Sequence, residues 1–428
     1  MKNSKIPWIG DIPNHWTLCS TSALFHEHKE KNKGLTCTNL LSLSYGRIRR
    51  KDINTTEGLL PESFDTYNII SSGDIVFRLT DLQNDHKSLR TALCTEQGII
   101  TSAYLTLRKN ACINERYYHY LFHIYDVCKV FYGMGDGVRQ GMGWNDIKSM
   151  PLFMAPYEEQ QRIADFLDHK CTDIDNVLEK TKTGIEEYKK LKQSIINEAV
   201  TKGIRGLRPM KDCGIEWASS IPSEWEVKRV KRCINSYSKG NGITKDEVFV
   251  DGNTPCVRYG EIYSRYDNSF SECVSATKIE IQQSPQYVSK DDILCAATGE
   301  LIEEIGKATA YVGNTPCLAG GDIIILRHNQ NPVFLSYVLN SRYAQAQKSC
   351  TKTKLKVVHI SASDICNVLI ALPPLEEQHE IASYLDHKCS EIDSLIASKE
   401  MFIAELELYK KSLIYEYVTG KKEVPSNA

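Results

Sequence analysis

Residues 159–175 read EQQRIADFLDHKCTDID, and residues 377–393 read EQHEIASYLDHKCSEID. An internal duplication restricts the architecture more than any other property of a chain, and this one extends well beyond the two phrases. MKNSKIPWIGDIPNHW (1–16) matches MKDCGIEWASSIPSEW (210–225), so Met1, Trp8, Ile12, Pro13 and Trp16 recur as Met210, Trp217, Ile221, Pro222 and Trp225. Further along, Tyr45-Gly46-Arg47-Ile48 resembles Tyr259-Gly260-Glu261-Ile262, and Gly73-Asp74-Ile75 resembles Asp291-Asp292-Ile293. The 428 residues are two copies of one domain-sized unit. Two copies are too few for a solenoid, so the expected architecture is a tandem pseudo-dimer with an internal pseudo-two-fold axis.

Each copy has two textures. Short β-rich runs such as DIVFRL (74–79) and DIIILR (322–327), punctuated by Gly, Asn and Pro, predict an α+β globular domain. A proline-free segment rich in Glu, Lys, Leu and Ile follows, opening after Pro156 or Pro373-Pro374 with a pair of glutamates suited to a helix N-terminus. The expected boundaries are a first globular domain at 1–155, a first helix at 156–203, a second globular domain at 204–373, a second helix at 374–420 and a tail at 421–428. Apolar residues recur alternately at three and four positions, through Leu167, Ile174, Leu178, Thr181 and Ile185 in one copy. Leu385, Ile392, Ile396, Lys399 and Ile403 hold the same register in the other. That spacing predicts a coiled-coil seam, with Thr181 and Lys399 as polar interruptions that fix register. If the second globular domain is compact, the first helix ends near where the second begins, and the two pair antiparallel. At 1.5 Å per residue each helix is about 65 Å long, a spacer between two similar heads.

Exclusion narrows the chemistry of the heads. There is no GxxxxGK[ST] loop, GxSxG elbow, HExxH or (D/N)PP(Y/F) tetrapeptide. His119 and His123, spaced i and i+4, lack a third ligand and read as packing or surface histidines. None of the fifteen cysteines forms a CxxC pair, a pattern that fits buried thiols in a reducing cytoplasm rather than a disulfide framework or zinc site. No run is long and apolar enough to span a membrane, and the N-terminus lacks a signal-like apolar stretch. A non-catalytic binding protein without metal or cofactor is expected.

The two helical segments carry net charges of −2 and −6, which leaves +6 for the rest of a chain whose total is −2. An anionic partner should therefore meet the globular parts. YGRIRRK (45–51) and DHKSLR (85–90) are basic, as is KSCTKTKLK (348–356), while YGMGDGVRQGMGW (132–144) is a glycine-rich loop with Arg139 and Gln140 at its tip. A short basic run taken singly is ordinary solvated surface; the concentration of such runs outside the helices is what points to duplex DNA. Arginine and glutamine can read base edges, and lysines hold phosphates. The candidate contacts are Tyr45, Arg47, Arg49, Lys87, Arg90, Arg139 and Gln140 in the first head, and Arg258, Tyr259, Lys307, Lys352 and Lys354 in the second. For Arg258 and Lys307 a structural role stands equally beside a contact.

The IPxxW openings, the stretch GWNDIKSMPLFMAPYEEQQRIADFLD (143–168) and its partner SASDICNVLIALPPLEEQHEIASYLD (361–386) resemble the specificity subunits of Type I restriction–modification systems over almost the whole chain. The resemblance implies two target recognition domains that read the halves of a bipartite asymmetric site. It also implies conserved helices that dock two modification (methyltransferase) subunits, with restriction subunits joining them. S-adenosylmethionine, ATP and Mg would then belong only to those partners. Glu158, Glu159, Gln160, Glu376, Glu377 and Gln378, together with the exposed helix faces, are the expected docking surface, against the simpler reading that they keep the helices soluble. Two other classes stay open: a coiled-coil adaptor that binds only protein, and a nuclease or methylase acting alone.

Overall fold

The computed structural model describes residues 1–425 apart from 55–62, 83–84, 86–87, 134–140, 215–219 and 351–357. Five of the helices position the candidate sites: α1 (Glu115–Val127), α2 (Tyr157–Lys202), α3 (Tyr259–Ser264), α4 (Pro332–Asn340) and α5 (Leu375–Val418). The long pair, α2 and α5, run for 46 and 44 residues. Each starts within two residues of a proline and carries two glutamates in its first turn, where the helix dipole favours negative charge. Each stops at a left-handed glycine, Gly203 (φ +74°) and Gly420 (φ +68°), the usual C-terminal cap. Space demands glycine there as well. A Cβ on Gly203 would lie 2.7 Å from the Glu377 carboxylate, and one on Gly420 would lie 2.5 Å from the Pro13 ring.

Packing divides the chain within both long helices, into residues 1–182 with 400–428 and residues 183–399. In the first unit, Leu167, Cys171, Ile174 and Leu178 from the start of α2 share a core with Leu413, Ile414, Tyr417 and Val418 from the end of α5. In the second, Ile196, Ala199 and Val200 from the end of α2 share a core with Ile381, Ala382, Leu385 and Cys389 from the start of α5. Within each unit the helices are therefore antiparallel, as expected. The first unit pins them by Asp175–Lys410 at 2.6 Å, and the second by the repeat-related pair Asp393–Lys192 at 2.6 Å. The seam also obeys the expected spacing. Leu167, Ile174, Leu178, Thr181, Ile185, Leu385 and Ile392 are buried, and Ile396, Lys399 and Ile403 are half-buried between exposed neighbours. Thr181 satisfies its hydroxyl on the Val177 carbonyl of its own helix at 2.8 Å. Lys399 places its ammonium over the Tyr188 ring at 5.7 Å, so neither polar interruption leaves an unpaired group.

In the first unit a four-stranded antiparallel sheet, ordered Phe25–Glu27, Leu105–Lys109, Ile75–Phe77, Thr91–Leu93, packs against α1. Phe25, Phe77 and Phe122 fill the space between them, Phe77 edge to face with Phe122 and Phe25 tilted against it. The second unit has a five-stranded sheet, in which Ile293–Ala296 lies between Ile323–His328 and Ala308–Tyr311, under α4. It also has a four-stranded sheet of mixed direction. A short ladder recurs in both units: Thr17–Ser20 with Pro151–Met154, and Glu226–Arg229 with Leu369–Leu372. It joins the segment after each IPxxW tryptophan to the strand just before each long helix.

One sequence match does not survive folding. Tyr45-Gly46 is a two-residue turn between β1 (Leu41–Ser44) and β2 (Arg47–Arg50), with Arg47-Ile48 entering β2, whereas Tyr259-Gly260-Glu261-Ile262 is the first turn of α3. Four similar residues cannot outweigh their surroundings. Glu261 in the second copy accepts the Arg258 backbone N–H at 3.0 Å and starts a helix, and Arg47 has no equivalent carboxylate.

Candidate nucleic-acid interface

The two IPxxW motifs and the two EEQ motifs meet, once in each unit. Trp16 is fully buried, stacks on Phe153 and donates its indole N–H to Glu159 at 3.1 Å. Trp225 does the same to Glu377 at 2.9 Å. The neighbouring glutamines are equally committed. Gln160 donates to the Ala155 carbonyl at 2.7 Å and accepts from the Asn114 N–H at 2.9 Å. Gln378 donates to the Pro373 carbonyl at 2.9 Å and accepts from the Asn331 N–H at 3.0 Å. Asn114 and Asn331 cap α1 and α4, so each glutamine ties the start of a long helix to a helix of its globular part. This corrects the expected docking surface. Gln160, Glu377 and Gln378 are buried and Glu159 is half-buried, all holding the fold together, and of the six only Glu158 and Glu376 are exposed. A buried polar group must be paired, which explains why EEQ is written twice.

In the first unit the expected contacts divide by orientation. Tyr45 sits at the tip of the β1–β2 ribbon and is 75% exposed. Arg49 is exposed and makes no ion pair among the described residues. Arg47 lies on the same strand but gives its guanidinium to Asp175 at 2.8 Å. Arg90 is a correction: it is completely buried. Its guanidinium donates to the Thr80 carbonyl at 3.0 Å, to the Asp85 carbonyl, and to the Tyr132 hydroxyl at 3.3 Å, so it ties these three residues together from within. Lys87, Arg139 and Gln140 lie outside the described residues.

In the second unit Arg258 and Tyr259 line a cleft of about 780 Å³. Glu261, itself buried, pairs with Arg258 at 2.9 Å and accepts from Ser275 at 2.6 Å, fixing the guanidinium at the cleft wall. Lys245 and Arg265 line the same cleft and are exposed. Sequence reasoning missed both, because each stands alone in its run and only tertiary packing brings them to Arg258. Lys307 is a second correction. Its ammonium is spent on the Tyr266 carbonyl at 3.0 Å and the Tyr263 carbonyl at 3.4 Å, and burial pulls its pKa down. Lys352 and Lys354 lie outside the described residues. Among the described residues no cluster of three or more His, Cys, Asp or Glu is arranged to hold a metal ion, and no helix is long and apolar enough to cross a membrane.

His119 and His123 are packing residues. Burial pushes their pKa values down to about 4 and about 3, and for His123 the neighbouring His119, Lys410 and Lys411 push the same way. The folded state thus binds fewer protons than the unfolded chain below the ordinary histidine range. Stability should be full above pH 6.5 and fall as pH drops towards 4, by up to about 2.7 kcal/mol per pH unit when both sites are protonated only in the unfolded chain. Chemical denaturation at a series of pH values, with and without the double substitution His119→Gln and His123→Leu, checks this. The wild type should show the slope and the variant should lose most of it.

Comparison with known proteins points the same way. Residues 222–407 match the family model described as Type I restriction modification DNA specificity domain. Two curated relatives come from Methanocaldococcus jannaschii. The Type I restriction enzyme MjaVIII specificity subunit is 25% identical over 338 residues, covering 77% of this chain and 75% of the relative. The putative type I restriction enzyme MjaX specificity subunit is 24% identical over 447 residues, covering 99% and 97%. Among solved structures, a chain from a study of complex assembly and conformational transition of the type I R-M system superposes with a TM-score of 0.69. It is 17% identical over 96% of this chain and 100% of that one. The HsdS subunit from Thermoanaerobacter tengcongensis gives a TM-score of 0.50 at 17% identity over 96% and 98%. These two likenesses establish a shared fold.

Proposed function

We propose that this chain, which belongs to the Type I restriction–modification DNA specificity subunits, reads a two-part, non-palindromic DNA target and carries no catalytic residue of its own. The observation that supports the two-part reading most is the fate of the repeated Tyr-Gly motif. One duplicated scaffold presents a β-ribbon with an exposed arginine in one unit and a helix-walled cleft with exposed Lys245 and Arg265 in the other. Unlike faces on like scaffolds call for unlike half-sites, so the target lacks two-fold symmetry. Methyl transfer, with S-adenosylmethionine, and ATP-driven cleavage, with Mg, fall to modification and restriction subunits, and the complex acts in the cytoplasm.

Docking of the modification subunits falls to the outward faces of the long helices, once the EEQ glutamates and glutamines that point inward are removed from the surface. Met401, Phe402, Leu408 and Tyr409 form two pairs seven residues apart on α5, all exposed. A solvated helix has no reason to carry four such side chains together. The segment around them is acidic, so the partner face that fits is apolar with a basic rim. The corresponding residues of α2 are Thr183, Gly184, Lys190 and Leu191, so the two helices do not offer the same surface.

Co-expression with the neighbouring modification subunit, followed by mapping of methyladenine, tests the reading. A gapped two-part motif is expected, and exchange of residues 1–155 for another recognition domain should change one part only. Methylation indifferent to that exchange would overturn it. Binding to a duplex should also weaken steeply with salt, by a log–log slope of about −0.9 for each phosphate contact. A protein-only adaptor would show no such slope.

A further inference from the structure

We propose that the β1–β2 ribbon enters the major groove of one half-site and reads bases with Arg49 and Tyr45. This rests on the DNA-specificity reading above and names the element that performs it in the first unit. The register pairs Ser42 with Arg49 and Ser44 with Arg47, so these four side chains share one face. Leu41, Leu43 and Ile48 take the other face and pack into a small core with Ile70, Val76 and Ile100. The result is a two-stranded ribbon with a back that is apolar except for Arg50 and a face of two serines and two arginines. A ribbon of this kind fits a groove about 12 Å wide.

The ribbon is held at its base and its back, and on its face Arg47 is tied to Asp175, which leaves Arg49 and the tip for a ligand. Arg50 is tied to Glu96 at 2.6 Å, and Glu96 also accepts from Asn39 at 3.0 Å. Leu41 lies so close to Gly98 that a Cβ there would come within 2.5 Å of it. Leu89 backs the turn at Gly46, where a Cβ would meet it at 2.9 Å. Arg47 is held by Asp175. Arg49 is then the guanidinium on this face without an ion-pair partner among the described residues.

The tip supports the same reading. Both turn residues are left-handed, Tyr45 at φ +49° and Gly46 at φ +74°, as the favoured two-residue hairpin turn requires. Asparagine is the residue such a turn prefers in the first position, and a bulky ring there is strained. The strained ring gains no compensating burial, because it stands in solvent. Strain of this kind persists where a ligand uses the residue. In the groove, Arg49 can take guanine bidentately, and the Tyr45 ring can lie against a thymine methyl. At the matching motif the second unit has α3 instead, so the ribbon reads one half of the target.

The test uses the chain in complex with its modification subunit and a pool of randomised duplexes, sequenced after selection for binding. The wild type should select a two-part motif. Arg49→Lys keeps the charge and Tyr45→Asn suits the turn, so both variants should fold. Each should lose about tenfold to a hundredfold discrimination at positions of one half-site. The other half-site and the salt slope should be unchanged. A wild-type motif that both variants reproduce in full overturns the ribbon inference and leaves the specificity reading standing. A wild-type complex that selects no motif overturns the specificity reading itself.

Discussion

Replacing Glu377 with alanine is expected to cost about 3 kcal/mol, the low end of the range for breaking a buried ion pair from one side. Its carboxylate is buried between the Trp225 indole at 2.9 Å and the Arg208 guanidinium at 2.6 Å. Arg208 lies over the Trp225 ring at 5.3 Å, so the two groups that share this carboxylate also pack on each other. Removing it leaves the buried indole N–H unpaired and takes one of two carboxylates from a nearly buried guanidinium, which keeps Glu224 at 2.9 Å. Glu159→Ala should cost less, about 1–2 kcal/mol. Its second partner is the exposed His15 at 2.8 Å, which water can solvate once the carboxylate is gone. Denaturant unfolding of both variants decides the matter. Equal losses would show that Arg208 adds nothing to the second clamp.

The second large effect is on assembly. Changing Phe402 and Leu408 together to glutamate should weaken capture of the modification subunit by at least about a hundredfold, as expected when central apolar anchors are lost. Both side chains are exposed, and glutamate is a good helix former, so the melting temperature should hardly move. Thr183→Glu with Lys190→Glu on α2 should do less, because no large apolar side chain is removed there. Co-purification and sedimentation of the mixed subunits give the readout. Undiminished assembly by the Phe402/Leu408 variant would remove α5 from the docking surface.

Much of the fold was legible in the amino-acid order because it depends on local or periodic properties. The helix starts after Pro156 and Pro374, the stops at Gly203 and Gly420, and the three–four spacing from Leu167 to Ile185 are each set within a turn or two of backbone. Antiparallel pairing came from chain connectivity alone. The two IPxxW tryptophans and the two EEQ motifs were also visible as repeats, although nothing local says that they bond to each other across more than 140 residues.

What the tertiary structure alone decided is which way the polar side chains face. Arg90 looks like cationic surface in the sequence but is enclosed, and Lys307, for which two roles stood open, is half-buried with its ammonium on carbonyls that the fold brings to it. Gln160 and Gln378 look like a solvated helix start and turn out to be buried ties. Tyr-Gly is a ribbon tip in one copy and a helix start in the other. Periodicity is carried by neighbours in the chain and survives any packing. Orientation is settled by whatever residues converge from elsewhere to satisfy or desolvate a group, and a linear pattern does not contain that.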